Sequence, residues 1–79
     1  MTRKIHNILK KAGFVNCKNP AHHERGYKLK NHKGFSVIYV FFNSYELLEE
    51  AHLLLESHGI ANDKKTTQGC LLQIKTNDR

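Results

Sequence analysis

The sequence predicts a single small α+β domain in which two helices cover one face of a three-stranded, mostly antiparallel sheet, in the order α-β-β-α-β. Three observations lead to this prediction. Residues 34–42 are apolar except for a glycine and a serine, and they are rich in the Val, Ile, Tyr and Phe that strands favour. A turn sequence precedes this run, and helix-period apolar stripes flank it on both sides. The 79 residues are enough for one core, and therefore for one domain over residues 1–79.

The first helix is predicted within residues 1–13. Thr2 is a candidate cap at its start. Gly13 occupies the position where a left-handed glycine ends a helix, and Phe14 is placed to contact Leu9. The apolar residues of this helix follow the i, i+3, i+4, i+7 spacing: Ile5, Ile8, Leu9 and Ala12.

A second helix is predicted at residues 44–58, with Asn43 or Ser44 as its cap. Gly59 and Ile60 repeat the ending of the first helix. Its apolar stripe consists of Leu47, Leu48, Ala51, Leu54 and Leu55. Its outward face is acidic and carries Glu46, Glu49, Glu50 and Glu56.

Two strands are predicted to form a hairpin over residues 26–42, in which residues 26–30 turn back into the apolar run. The last strand is predicted at residues 69–75. Residues 15–25 contain the only proline and are predicted as a basic surface loop, in which residues 15–17 are a candidate edge strand.

The order of the three strands stays open. A right-handed crossover after the second strand places the third beside the first, in the order 2-1-3. The apolar run favours the order 1-2-3, because a strand that is apolar on both faces suits a central position. Residues 62–68 are predicted as a polar loop. In either order one sheet face has no helix over it, and that open face carries Phe35, Tyr39 and Phe41 or else Ile38 and Val40.

Positive charge is concentrated in the first half of the chain. Residues 1–34 contain nine Lys or Arg against one acid, for a net charge of +8, whereas residues 35–79 carry −2. Such a distribution indicates a polyanionic partner, and contacts through phosphates alone give low sequence specificity. The residues expected to contact phosphates are Lys10, Lys11, Lys18, Arg25, Lys28, Lys30 and Lys33.

No cofactor or metal is expected. Cys17 and His22 make one half of a zinc site, and a complete site requires two such pairs. Cys17 and Cys70 are expected to be reduced thiols, with a Cys17–Cys70 disulfide as the alternative. The sequence has neither a membrane-spanning apolar run nor a signal-peptide pattern, so we expect a cytoplasmic protein without membrane contact.

One stretch carries a likeness to a known family. The sequence ILKKAGF is followed, after a short basic stretch, by the pair His22-His23. From Ile5 to His23 the chain resembles the start of HicA-type toxins, which are small mRNA interferases with a double-stranded-RNA-binding fold. The resemblance implies a ribonuclease with His22 or His23 as its catalytic residue. The chain departs from the family pattern at Pro20 and Ala21, where the family has glycine and serine, and in the strand after its second helix.

The leading hypothesis is a non-enzymatic domain that binds nucleic acid, alone or within a nucleoprotein complex, through its basic N-terminal half. A chain of this size is not expected to enclose a deep catalytic cavity. The alternative is an inhibitor or accessory protein of a phage or mobile element, of the anti-defence type. It would bind a host or defence protein through its acidic helix or its open sheet face, where a homodimer is also an alternative. The third hypothesis is the histidine-dependent ribonuclease.

Overall fold

The apolar run in the middle of the chain forms the central strand of a five-stranded mixed sheet, and two helices pack against one face of that sheet. The computed structural model describes residues 2–32, 37–67 and 69–75. The predicted α+β class with two helices is confirmed. The elements in chain order are α1 (Thr2–Lys11), β1 (Val15–Asn16), a 3₁₀ turn (Pro20–His22), β2 (Gly26–His32), β3 (Val37–Phe42), α2 (Tyr45–Ser57), β4 (Asp63–Lys65) and β5 (Leu71–Lys75).

The strand order is β1-β2-β3-β5-β4, with β1 parallel to β2 and every other neighbouring pair antiparallel. The three predicted strands correspond to β2, β3 and β5 and lie in the order 1-2-3, so the order 2-1-3 is wrong. The order 2-1-3 would have placed β3 at an edge of these three strands. Because β3 is apolar on both faces, it is better accommodated between two neighbours.

The sheet is larger than the three predicted strands, because β1 and β4 extend it at its two edges. β1 forms at the candidate edge strand of residues 15–17, within the predicted basic loop, and pairs with residues 26–27. β4 comes from the loop predicted at residues 62–68 and pairs with β5. Every side chain of β1 and β4 is exposed. These short strands therefore lack the apolar alternation from which a strand is predicted, and backbone pairing holds them in place.

One alternating set of sheet residues forms the core together with both helices. On β3 this set consists of Ile38, Val40 and Phe42, and the register places Val40 beside the buried Leu72 of β5. Each buried aliphatic side chain contributes about 1.5–3 kcal/mol, so a one-residue shift of β3, which would expose the whole set, is strongly disfavoured. The helix residues of the same core are Ile5, Ile8, Leu9, Leu47, Leu48, Ala51 and Leu55.

Both helices end at a glycine in the left-handed region, with φ of 91° at Gly13 and 77° at Gly59. In α1, the amide of Phe14 donates to the Leu9 carbonyl at 3.0 Å. In α2, the amide of Ile60 donates to the Leu55 carbonyl at 2.9 Å. These bonds satisfy carbonyls that have no partner within the helix, and they confirm the two predicted helix ends.

The helix starts differ in part from the prediction. Ser44 is the cap of α2, since its hydroxyl oxygen accepts the amide of the third helix residue at 3.3 Å. The side chain of Asn43 instead donates to the His23 carbonyl at 3.3 Å. Thr2 is the first residue of α1 rather than its cap, and its hydroxyl donates to Asn31 Oδ1 at 3.0 Å. This bond ties the start of α1 to β2.

The buried side chain of Asn62 organises the connection between α2 and β4. Its amide nitrogen donates to the carbonyls of Ile60 and His52, at 3.0 and 3.5 Å. Its Oδ1 lies 2.7 Å from His52 Nδ1. Asn62 therefore contacts two backbone carbonyls and one imidazole nitrogen from a side chain that is itself buried.

A second polar contact joins α1 to the sheet. The hydroxyl of the fully buried Tyr27 lies 2.6 Å from Nδ1 of His6, at hydrogen-bond distance. Burial, and secondarily the charge of Lys10, lowers the pKa of His6 from its ordinary value of 6.5. Burial also raises the pKa of Tyr27. The folded protein therefore favours the neutral form of both groups.

We expect Asn62→Ala to lower the free energy of unfolding by about 1–3 kcal/mol, because it leaves buried polar groups without partners. Urea unfolding followed by circular dichroism measures this change. Asn7→Ala, at an exposed position of α1, is the matched control and should change stability little. Equal stability of the two variants would contradict the role of Asn62.

We expect the protein to lose stability as the pH falls below about 6.5, because the unfolded chain then binds a proton at His6 that the folded protein resists. The loss should level off once the pH is below the lowered pKa of His6. Urea unfolding at about pH 7.5 and about pH 5.5 measures it, and the decrease should be smaller in His6→Gln. A decrease of the same size in that variant would show that His6 is not the group responsible.

Candidate nucleic-acid interface

The sheet face opposite the helices has no helix over it in the described part of the chain, and we call it the open face. Strand alternation places on it the residues that do not enter the core. Its central strand contributes Val37, Tyr39 and Phe41, all half-buried. The neighbouring strands contribute Lys28, Lys30, Asp63, Lys65, Leu71, Gln73 and Lys75.

The register arranges these residues in rows across the sheet. Phe41 lies between Lys28 of β2 and Leu71 of β5, and Lys65 of β4 lies beyond Leu71. The next row places Tyr39 between Lys30 and Gln73, with Asp63 beyond them. Lys75 is opposite Val37. The open face therefore has two aromatic side chains on its central strand and exposed lysines on both sides.

A cleft of about 580 Å³ adjoins the open face at Phe41. The 3₁₀ turn forms one wall of the cleft and packs closely on the start of β2. The contact leaves no room for a side chain at Gly26, since a Cβ there would lie 2.4 Å from the Pro20 carbonyl oxygen. Asn19 caps this turn by accepting the Ala21 amide at 3.0 Å. The lining residues are Lys18, Asn19, Pro20, Ala21, Lys28, Phe41, Phe42 and Asn43.

The structure brings together only some of the predicted phosphate-binding residues. Lys28 and Lys30 share the open face, and Lys18 shares the cleft with Lys28. Lys10 and Lys11 lie on α1, in the layer on the opposite side of the sheet. Lys33 lies outside the described residues. The predicted set therefore divides between two surfaces, and the open face holds the part that lies beside aromatic side chains.

Arg25, which the sequence predicts as a phosphate contact, has a structural role. Its guanidinium donates to the carbonyls of Ala12 and Gly13 at 3.0 and 3.3 Å, and pairs with Glu50 of α2 at 2.7 Å. It also lies 4.4 Å from the ring centre of Phe14. The hydrogen bond with Glu50 raises the pKa of Arg25. Because these contacts join both helices to the start of β2, we leave Arg25 out of the candidate interface.

Two lysines of the open face are absent from the predicted set. Lys75 alternates with Leu71 and Gln73 in the last strand, and this alternation was a usable signal. Lys65 lies in β4, a segment predicted as a loop, and a loop prediction assigns no sheet face to its residues.

The acidic face of α2 is largely paired within the chain. Glu49 accepts from Lys64 of β4 at 2.8 Å, and this hydrogen bond lowers the pKa of Glu49. Glu50 pairs with Arg25, and Glu56 Oε1 lies 3.5 Å from His52 Nε2. The acids of α2 thus mainly connect this helix to its neighbours.

The histidines of the loop that precedes β2 have different surroundings. His22 is exposed in the 3₁₀ turn, and His23 Nδ1 accepts the amide of Arg25 at 3.0 Å. No three His, Cys, Asp or Glu side chains of the described chain converge on a metal-sized site. Cys17 and Cys70 are half-buried free thiols. Neither described helix is long and apolar enough to cross a membrane.

Comparisons with protein-family models, with curated proteins and with solved structures find no match for this chain.

We expect Arg25→Gln to lower the free energy of unfolding by about 1–2 kcal/mol, because it removes the bonds to Ala12, Gly13 and Glu50 from a partly exposed site. Lys28→Gln removes the same charge from the open face and should leave stability unchanged. Thermal and urea unfolding of both variants measure the difference. Equal stability of the two variants would return Arg25 to the candidate interface.

Proposed function

We propose that this protein binds nucleic acid without cleaving it, alone or within a nucleoprotein complex of the cytoplasm, and that the open face and its cleft are the binding surface. One observation carries the proposal: lysines lie on both sides of the aromatic pair Tyr39 and Phe41 on a sheet face that no described helix covers. Cations beside aromatic rings suit a ligand that combines phosphates with planar bases.

The lysines of β2 fit repeated phosphate contacts. Lys28 and Lys30 are two residues apart on one strand, so their backbones lie about 6.6–6.8 Å apart on the same face. Their flexible side chains act as point charges that reach phosphates without a fixed geometry. Such contacts position a nucleic acid but do not read its bases, so low sequence specificity follows.

The protein-binding alternatives have less support. The acidic helix α2 has its Glu49 and Glu50 paired within the chain, which reduces the charge it offers to a basic partner. A two-fold homodimer through the open face would bring each lysine patch against its own copy. Like charges would then oppose association, whereas a polyanion would be attracted.

The ribonuclease hypothesis also has less support. A histidine base would need a nearby cation to stabilise charge on the phosphate in the transition state. The nearest cationic residue in the sequence after the histidine pair is Arg25. Its guanidinium is engaged by Glu50 and by the carbonyls of Ala12 and Gly13, just after α1. We therefore expect RNA to be bound intact.

We expect the double variant Lys28→Gln, Lys30→Gln to weaken binding of labelled oligonucleotides and to reduce the slope of log affinity against log salt by about 1.4–1.8, since each lost phosphate contact removes about 0.7–0.9. Fluorescence anisotropy over a salt series measures both quantities. The matched control is Lys10→Gln, Lys11→Gln, which removes the same charge from α1 and should change the slope little.

Equal effects of the two double variants would assign binding to net charge instead of the open face. Absence of binding by the unmodified protein at about 50 mM salt would overturn the proposed function, because phosphate contacts are strongest at low salt. Gel electrophoresis of the same RNA should show no cleavage products.

A further inference from the structure

We infer that the open face selects single-stranded nucleic acid, with one base stacked on Tyr39 and the next on Phe41. This inference rests on the proposed function and specifies its ligand. Both side chains project from the central strand on the side away from the helices, and both are half-buried, so each ring is held by its neighbours while part of it meets solvent.

The spacing of the two residues carries the inference. Tyr39 and Phe41 are two positions apart on β3, so their backbones lie about 6.6–6.8 Å apart on one face. Successive bases along a duplex strand are about 3.4 Å apart. Two adjacent bases that each lie on one of these residues must therefore separate from one another. A single strand allows that separation, whereas a duplex must be unpaired and unstacked first.

The neighbours of each ring repeat the same arrangement. Lys28 is the cross-strand partner of Phe41, and Lys30 is the cross-strand partner of Tyr39. Each nucleotide would thus have one ring on which its base stacks and one lysine ammonium group beside that ring to contact its phosphate. On the other side of Tyr39 lies Gln73, whose amide is suited to the hydrogen-bonding edge of a base.

The cleft gives the strand a path beyond Phe41. Phe41 borders both the open face and the cleft, and the cleft also contains Lys18 and Asn43. A strand that crosses Tyr39 and Phe41 would next meet the charge of Lys18. Both helices lie on the opposite side of the sheet, so the described chain presents no helix on this face that would enter the major groove of a duplex.

The test compares labelled single strands of about 12 nucleotides, DNA and RNA, with the matching duplexes at about 50 mM salt. The unmodified protein should bind the single strands more tightly. Phe41→Leu, which keeps an apolar side chain but removes the ring, should weaken single-strand binding about tenfold and leave the salt slope unchanged. Tyr45→Leu, at an exposed position of α2, is the control and should bind normally.

Tyrosine fluorescence gives a second readout that does not depend on the Phe41 variant. The chain has no tryptophan, so the emission comes from Tyr27, Tyr39 and Tyr45. Stacking of a base on Tyr39 should quench part of this emission when a single strand binds. Tyr39→Phe should lose the change in emission and keep its affinity, whereas Tyr45→Phe should keep both.

Three results would overturn the inference but leave the proposed function standing: duplex bound as tightly as single strands, normal single-strand binding by a folded Phe41→Leu protein, or an unchanged quench in Tyr39→Phe. In each case the Lys28→Gln, Lys30→Gln variant would still show weakened binding. Failure of every oligonucleotide to bind would overturn both.

Discussion

The structure depends on the burial of one face of β3 beneath the two helices. Ile38, Val40 and Phe42 occupy that buried face, and the two-residue period of a strand then places Tyr39 and Phe41 on the other. A single layer of helices covers a single face of a sheet. The aromatic character of the open face is therefore a direct consequence of how the core is built, and it requires no separate loop or insertion.

The basic residues of the chain lie in two different environments. Arg25 has a planar guanidinium with several donors, and it joins the end of α1, the acid Glu50 of α2 and the ring of Phe14 at one place. The lysines of the open face have a single mobile charge each. Because the guanidinium of Arg25 is engaged by groups of the chain itself, the positive charge of the open face lies in lysines, whose flexible side chains place it without a fixed geometry.

The elements that were predictable are those with strong local signals. The helix ends follow from Gly13 and Gly59, and the hairpin follows from the apolar run. The edge strand β1 was a candidate at residues 15–17, whereas β4 was not predictable, because the short polar segment Asp63–Lys65 pairs through its backbone. Nor does sequence distinguish Arg25 from its lysine neighbours, since it gives the charge but not the distant carbonyls and carboxylate that engage it. Strand alternation did indicate which residues would share a face, once the order of the strands was known.

The polar edge strands have a consequence for the behaviour of the chain at high concentration. Val37–Phe42 is a six-residue, uncharged segment of high β-propensity, which is the composition that assembles into cross-β aggregates when its edges are accessible. In the fold, both of its edges are occupied by β2 and β5, and the outermost strands are short. One of these outermost strands is β4, which carries Lys64 and Lys65. Their charge opposes the pairing of a strand from another molecule at that edge. β2 and β5 therefore keep the aggregation-prone segment Val37–Phe42 away from the sheet edges, and the charged strand β4 makes its own edge a poor template for further pairing.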